Sequence, residues 1–115
     1  MADPYERALE SLLRVDGVRA AILVDADMGV PVVMEADAGV DADAAAALGA
    51  ELFRRSARCA DLAGAGSLRT LQLAAEDGHL LVAAAGGLLI VAVAAPDAQL
   101  AVLRVEAGRV AGSLA

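Results

Sequence analysis

The chain has 115 residues, enough for one domain whose core closes without metals or disulfides. A net charge of −7 and a pI near 4.4 argue against a phosphate-tracking surface, so nucleic acid is not an expected partner. The sequence contains no lysine, which excludes a P-loop NTPase and a Schiff-base enzyme, and hydrophobic content of 59% with only 2% aromatics predicts a core of Leu, Val, Ile and Ala with little room for a large ligand.

Cys59 is the single cysteine, so no intrachain disulfide or multi-cysteine metal site is expected, and a reducing cytoplasm is the simplest location. The leading residues Met1, Ala2, Asp3, Pro4, Tyr5 and Glu6 lack the basic-then-apolar pattern of a signal peptide. The apolar stretch 80–95 is too short for a membrane span and is broken by Gly86 and Gly87, so no membrane insertion is expected.

In chain order, Asp3 caps a first helix with Pro4 at its first position, and Tyr5, Leu9, Leu12 and Leu13 share one face up to a stop at Gly17. Residues 18–24 are almost continuously apolar, and residues 30–34 are β-branched and follow the turn 25–29, which together read as a hairpin. A polar connector over 37–41 leads into a long Ala-rich helix from Asp41 or Asp43 to Ala63, closed by Gly64 and Gly66. Residues 67–75 read as a strand with Leu71 and Leu73 on one face and Leu68, Thr70 and Gln72 on the other. Strands over 80–85 and 88–94 flank the tight turn Gly86-Gly87, and Pro96-Asp97 opens a last helix with Leu100, Leu103, Ala107, Val110 and Leu114 at helical spacing. The expected order is αββαβββα within one domain, 1–115: a layered α/β sandwich on an antiparallel sheet, with 18–24 and 88–94 as central strands.

Projected at about 100° per residue, the long helix is apolar on two opposite faces. Leu48, Leu52 and Cys59, with Ala45 and Ala63, form one, expected to lie on the sheet. Ala46, Gly49, Ala50, Phe53, Ala57 and Ala60 form the other, expected to point outward and to be covered by a second copy of the chain. The alternative is that this face is exposed and Ala is present as a good helix former. Pro31 protects one edge strand, whereas 67–75 has no proline, so Leu68, Thr70 and Gln72 are expected at a second, self-pairing edge.

The segments GVRAAILVDADMGVPVV (17–33) and LQLAAEDGHLLVAAAGGLLIVAVA (71–94), the Ala-rich helix between them and the capping PDAQL together resemble the bacterial members of the roadblock (dynein light chain-type) family. The resemblance implies a five-stranded antiparallel sheet with the long helix on one face and the terminal helices on the other. It also implies dimers joined through the third strand and the long helices. Bacterial relatives commonly accompany a Ras-like GTPase, and those of the gliding-polarity system promote its nucleotide cycling.

No catalytic constellation or cofactor site is expected. His79 has no second ligand at metal spacing, Cys59 reads as a small hydrophobe, and Asp25 with Asp27 reads as turn chemistry. Gly64-Ala65-Gly66 lacks the lysine of a phosphate cradle, and no serine sits in a nucleophile elbow. Arg54 and Arg58, one turn apart on the polar flank, are candidates for meeting a partner's carboxylates, against the alternative of local ion pairs with Glu51 or Asp61. The doubly apolar helix and the missing catalytic set, together with the GTPase association that the resemblance implies, give the expected function: a non-catalytic homodimeric module that binds and regulates a small Ras-like GTPase. The alternatives are an adaptor subunit without effect on nucleotide cycling, including one paired with a paralogue, and a small-ligand sensor.

Overall fold

The computed structural model describes residues 3–115; Met1 and Ala2, part of the segment read for a signal peptide, lie outside the described residues. The elements are α1 (Pro4–Leu13), β1 (Val18–Asp25), β2 (Pro31–Ala36), α2 (Ala42–Leu62), β3 (Thr70–Ala75), β4 (Gly78–Ala85), β5 (Leu88–Ala94) and α3 (Leu100–Leu114). They form one five-stranded antiparallel sheet of order β2-β1-β5-β4-β3. The expected αββαβββα order and sheet are present, and the two nearly continuous apolar strands, β1 and β5, are central because both of their faces are covered.

Local chemistry explains the boundaries. The Asp3 carboxylate accepts the Tyr5 N–H at 2.9 Å and starts α1, and Asp41 accepts the Ala44 N–H at 3.1 Å and starts α2. Asp25 accepts the N–H groups of Asp27 (3.0 Å) and Met28 (2.9 Å), so its carboxylate is used in closing the β1–β2 turn. At the far end the sequence reading is corrected: Pro96 and Asp97 lie in a turn, in which Ala98 donates to the Ala95 carbonyl at 3.0 Å, and α3 begins at Leu100 behind Gln99. Likewise β3 begins at Thr70, with Ser67 and Leu68 in the irregular segment before it.

The core has two halves, one on each face of the sheet. On one, α1 and α3 place Leu9, Leu12, Leu103 and Val110 against Leu23, Leu81 and Ile90. On the other, α2 places Ala46, Ala50 and Phe53 against Ile22, Val24, Val82 and Val91. The strand register puts Ile22, Val91 and Val82 side by side across β1, β5 and β4, a continuous β-branched row beneath α2.

Candidate interaction surface

That row decides which side of α2 faces inward. Three neighbouring β-branched side chains stand high above the sheet, so a helix crossing them packs closely only through small residues. Ala46 and Ala50 are 0% exposed, and a Cβ built on Gly49 would lie 3.3 Å from Val91 Cγ2 and 3.7 Å from Val82 Cγ2. Phe53 fills the space beside them and Ala57 packs at the margin. The expected assignment of the two faces is thus reversed: Ala46, Gly49, Ala50 and Phe53 are sheet-facing core, out of reach of a second molecule, and Ala57 and Ala60 are half-buried at its border.

The outward face belongs to Leu48, Leu52, Cys59 and Leu62, at steps of four, seven and three. Leu48 is 64% and Leu62 77% exposed, Cys59 is exposed, and Leu52 is half-buried. Cys59 is therefore a surface thiol and not the buried hydrophobe expected from sequence. Leu48 and Leu62 form an exposed apolar stripe two turns or more in length, which a water-exposed helix does not require. Glu51 pairs with Arg55 at 3.3 Å on this side, a pair the sequence reading had instead given to Arg54 or Arg58.

Strand β3 forms one free edge of the sheet. Thr70 and Gln72 lie opposite Ala83 and Leu81 and so face the α1/α3 side, while Leu71 and Leu73 lie opposite Val82 and Leu80 and face the α2 side. Leu68, expected to share a face with Thr70 and Gln72, packs instead toward the α2 cluster, because the irregular backbone before Thr70 breaks the alternation. Leu73, which the sequence reading did not select, is 44% exposed on the same side as α2.

Arg54 and Arg58 lie on the opposite flank of α2, toward the β1–β2 turn. Arg54 Nη1 donates to the Ala26 carbonyl at 3.3 Å, and both side chains are exposed. His79 Nε2 lies 3.0 Å from the Pro96 carbonyl, tying β4 to the turn before α3. Among the described residues there is no cluster of three His, Cys, Asp or Glu able to hold a metal ion, and no helix is long and apolar enough to cross a membrane.

Away from this surface, Arg109 of α3 donates to Glu106 through Nε (3.2 Å) and Nη2 (2.5 Å) and to Ser11 Oγ of α1 at 2.7 Å, and the Ser11 hydroxyl also bonds Glu106. The hydrogen bonds from Arg109 first and Ser11 second hold the Glu106 carboxyl below the usual carboxylate range. This polar clasp joins the two terminal helices.

The fold has counterparts among solved structures. The chain is 28% identical to the gliding protein MglB from Thermus thermophilus, covering 99% of this chain and 90% of that one with a TM-score of 0.83. It is 29% identical to an MglB solved in a tetrameric arrangement, covering 99% and 89% with a TM-score of 0.85. A Roadblock/LC7 domain from Streptomyces avermitilis, 24% identical over 93% of this chain and 91% of that one, has the same fold with a TM-score of 0.82. No curated protein matches the chain in sequence. The Roadblock/LC7 domain profile matches residues 4–95, and the chain belongs to the Roadblock/LC7 domain family.

Proposed function

We propose that the protein is a non-catalytic homodimeric module that binds and regulates a small Ras-like GTPase. The observation that carries the dimer is the outward stripe of α2, Leu48, Leu52, Cys59 and Leu62, together with the exposed Leu73 and the free edge of β3 at Thr70 and Gln72. A two-fold axis beside β3 lets one patch serve both subunits, joining two sheets by backbone hydrogen bonds and covering both leucine stripes. Arg54 and Arg58, on the flank of α2 away from β3, stay accessible in such a dimer and offer planar donors to a partner's carboxylates.

The GTPase assignment is supported by family membership and by similarity to MglB over nearly the whole chain. The module would act by holding or reorienting the GTPase's own switch elements, which carry the nucleotide chemistry. The test is to mix the purified protein with small Ras-like GTPases encoded beside its gene and to measure binding and GTP turnover in both nucleotide states. Nucleotide-dependent binding that weakens in Arg54→Ala and Arg58→Ala supports the reading. Binding indifferent to nucleotide would leave the adaptor alternative, and no binding would remove the GTPase.

A further inference from the structure

The turn between β1 and β2 is bonded on several sides. The Asp25 carboxylate takes the N–H groups of Asp27 and Met28, the Asp25 carbonyl takes that of Gly29 at 2.9 Å, and Asp25 donates its own N–H to the Val30 carbonyl at 3.0 Å. Ala26 donates to the Gly87 carbonyl at 3.1 Å, tying the turn to the β4–β5 hairpin, and the Ala26 carbonyl receives Arg54 of α2. Gly29, at φ +69°, lies against α2, where an added Cβ would meet the Ala50 Cβ at 3.5 Å and the Ala47 Cα at 3.6 Å.

None of these bonds uses the Met28 side chain, which is 76% exposed, two residues before Val30 at 51%. A polar residue would serve the turn as well, since only the Met28 N–H takes part. A long apolar side chain is thus carried into water on a firmly bonded backbone, beside the exposed Ala47 and Arg54. Arg58 follows one helical turn beyond, and neither arginine pairs with a carboxylate among the described residues. The turn's own carboxylates do not answer them: Asp25 is engaged by the turn amides, and Asp27 forms no ion pair among the described residues. Met and Arg are both enriched at protein interfaces relative to the rest of the surface.

We infer that the β1–β2 turn is the apolar anchor of the partner-binding surface: Met28 enters a pocket on a protein partner whose rim carries the carboxylates that Arg54 and Arg58 meet. The inference rests on the reading of that partner as a Ras-like GTPase and adds the apolar half of the contact, supplied by a different element from α2. Because the turn is already ordered, burying Met28 costs little beyond its own side-chain freedom, and its flexible thioether fits pockets of irregular shape. The strand order places β1 and β2 on the side of the sheet away from β3, so a dimer joined at β3 leaves the turn accessible on both subunits.

The test follows the methyl resonance of Met28, assigned by its loss in Met28→Leu, as unlabelled Ras-like GTPases encoded beside the gene are added to methyl-labelled protein. Expected is a shift of that resonance with the GTPase that binds. Affinity should fall about tenfold or more in Met28→Gln and stay within about threefold of wild type in Met28→Leu, as burial of one apolar side chain predicts. Both variants should unfold at the wild-type midpoint, because the turn is bonded through its backbone and Asp25. A GTPase that binds wild type and Met28→Gln equally, or leaves the Met28 methyl unmoved, overturns the anchor while the GTPase reading stands. No binding by any GTPase removes that reading and the anchor with it. A Met28 shift that grows with protein concentration alone would make a second copy the occupant, and it too would overturn the proposal.

Discussion

Gly49 lies directly on Val91: a Cβ at Gly49 would stand 3.3 Å from Val91 Cγ2, so the valine row of the sheet and the small residues of α2 fit only as a pair. Enlarging either side forces the helix away. Gly49→Leu is expected to destabilise the fold by about 1–3 kcal/mol through overpacking, measured by denaturant unfolding. Gly108 in α3 is the control, since a Cβ there meets nothing within 4 Å. Gly108→Ala is expected to stabilise by about 0.5–1 kcal/mol from helix propensity alone.

Substitutions on the two faces of α2 should separate folding from assembly. Ala50 is fully buried against the sheet, so Ala50→Arg is expected to unfold the monomer by leaving an unpaired charge in the core. Leu48→Arg is expected to leave the circular-dichroism spectrum and unfolding midpoint of the monomer nearly unchanged while weakening self-association. The opposite pattern would place the sheet on the leucine face.

Phe53 is the one aromatic side chain in the α2 half of the core, packed among alanines that cannot move in to replace it. Phe53→Ala should cost about 3 kcal/mol or more, read as a lowered midpoint in thermal or chemical unfolding. A loss below about 1 kcal/mol would mean that the α2 layer collapses to fill the space.

The Ser11–Glu106–Arg109 clasp predicts a pH signature. Folding lowers the Glu106 carboxyl from its ordinary value of 4.5, so the clasp contributes stability that is complete above that value and is lost as pH falls through the lowered one. Glu106→Gln should therefore melt below wild type at pH 7, and the difference should vanish in strongly acidic solution. A difference that persists unchanged in acid would assign the effect to packing instead of charge.

The architecture was legible because it is written in periods and punctuation: alternating or continuous apolar runs, Asp3 and Asp41 as caps, Gly86-Gly87 as a hairpin, Pro31 at an edge. Helical periodicity also revealed that α2 is apolar on two faces, but an angle around a helix carries no sign. By size Leu48 and Leu52 are the expected core, whereas the β-branched row Ile22, Val91 and Val82 already fills much of the space between sheet and helix and is met by the small residues Ala46, Gly49 and Ala50, with Phe53 beside them. That constraint lies in strand register across distant segments, as does the turn of Leu68 toward α2. Small residues at 46, 49 and 50 facing a β-branched sheet are the signal by which the inward face could have been chosen.

The most direct test is sedimentation equilibrium of wild type and Leu62→Arg over a range of concentrations. Leu62 is among the most exposed apolar side chains of the outward stripe, and its substitution leaves every core contact in place. The account predicts a mass of twice the chain for wild type and a folded single chain for the variant. A wild-type protein that stays a single chain at high concentration, or a variant that dimerises as tightly as wild type, would contradict it.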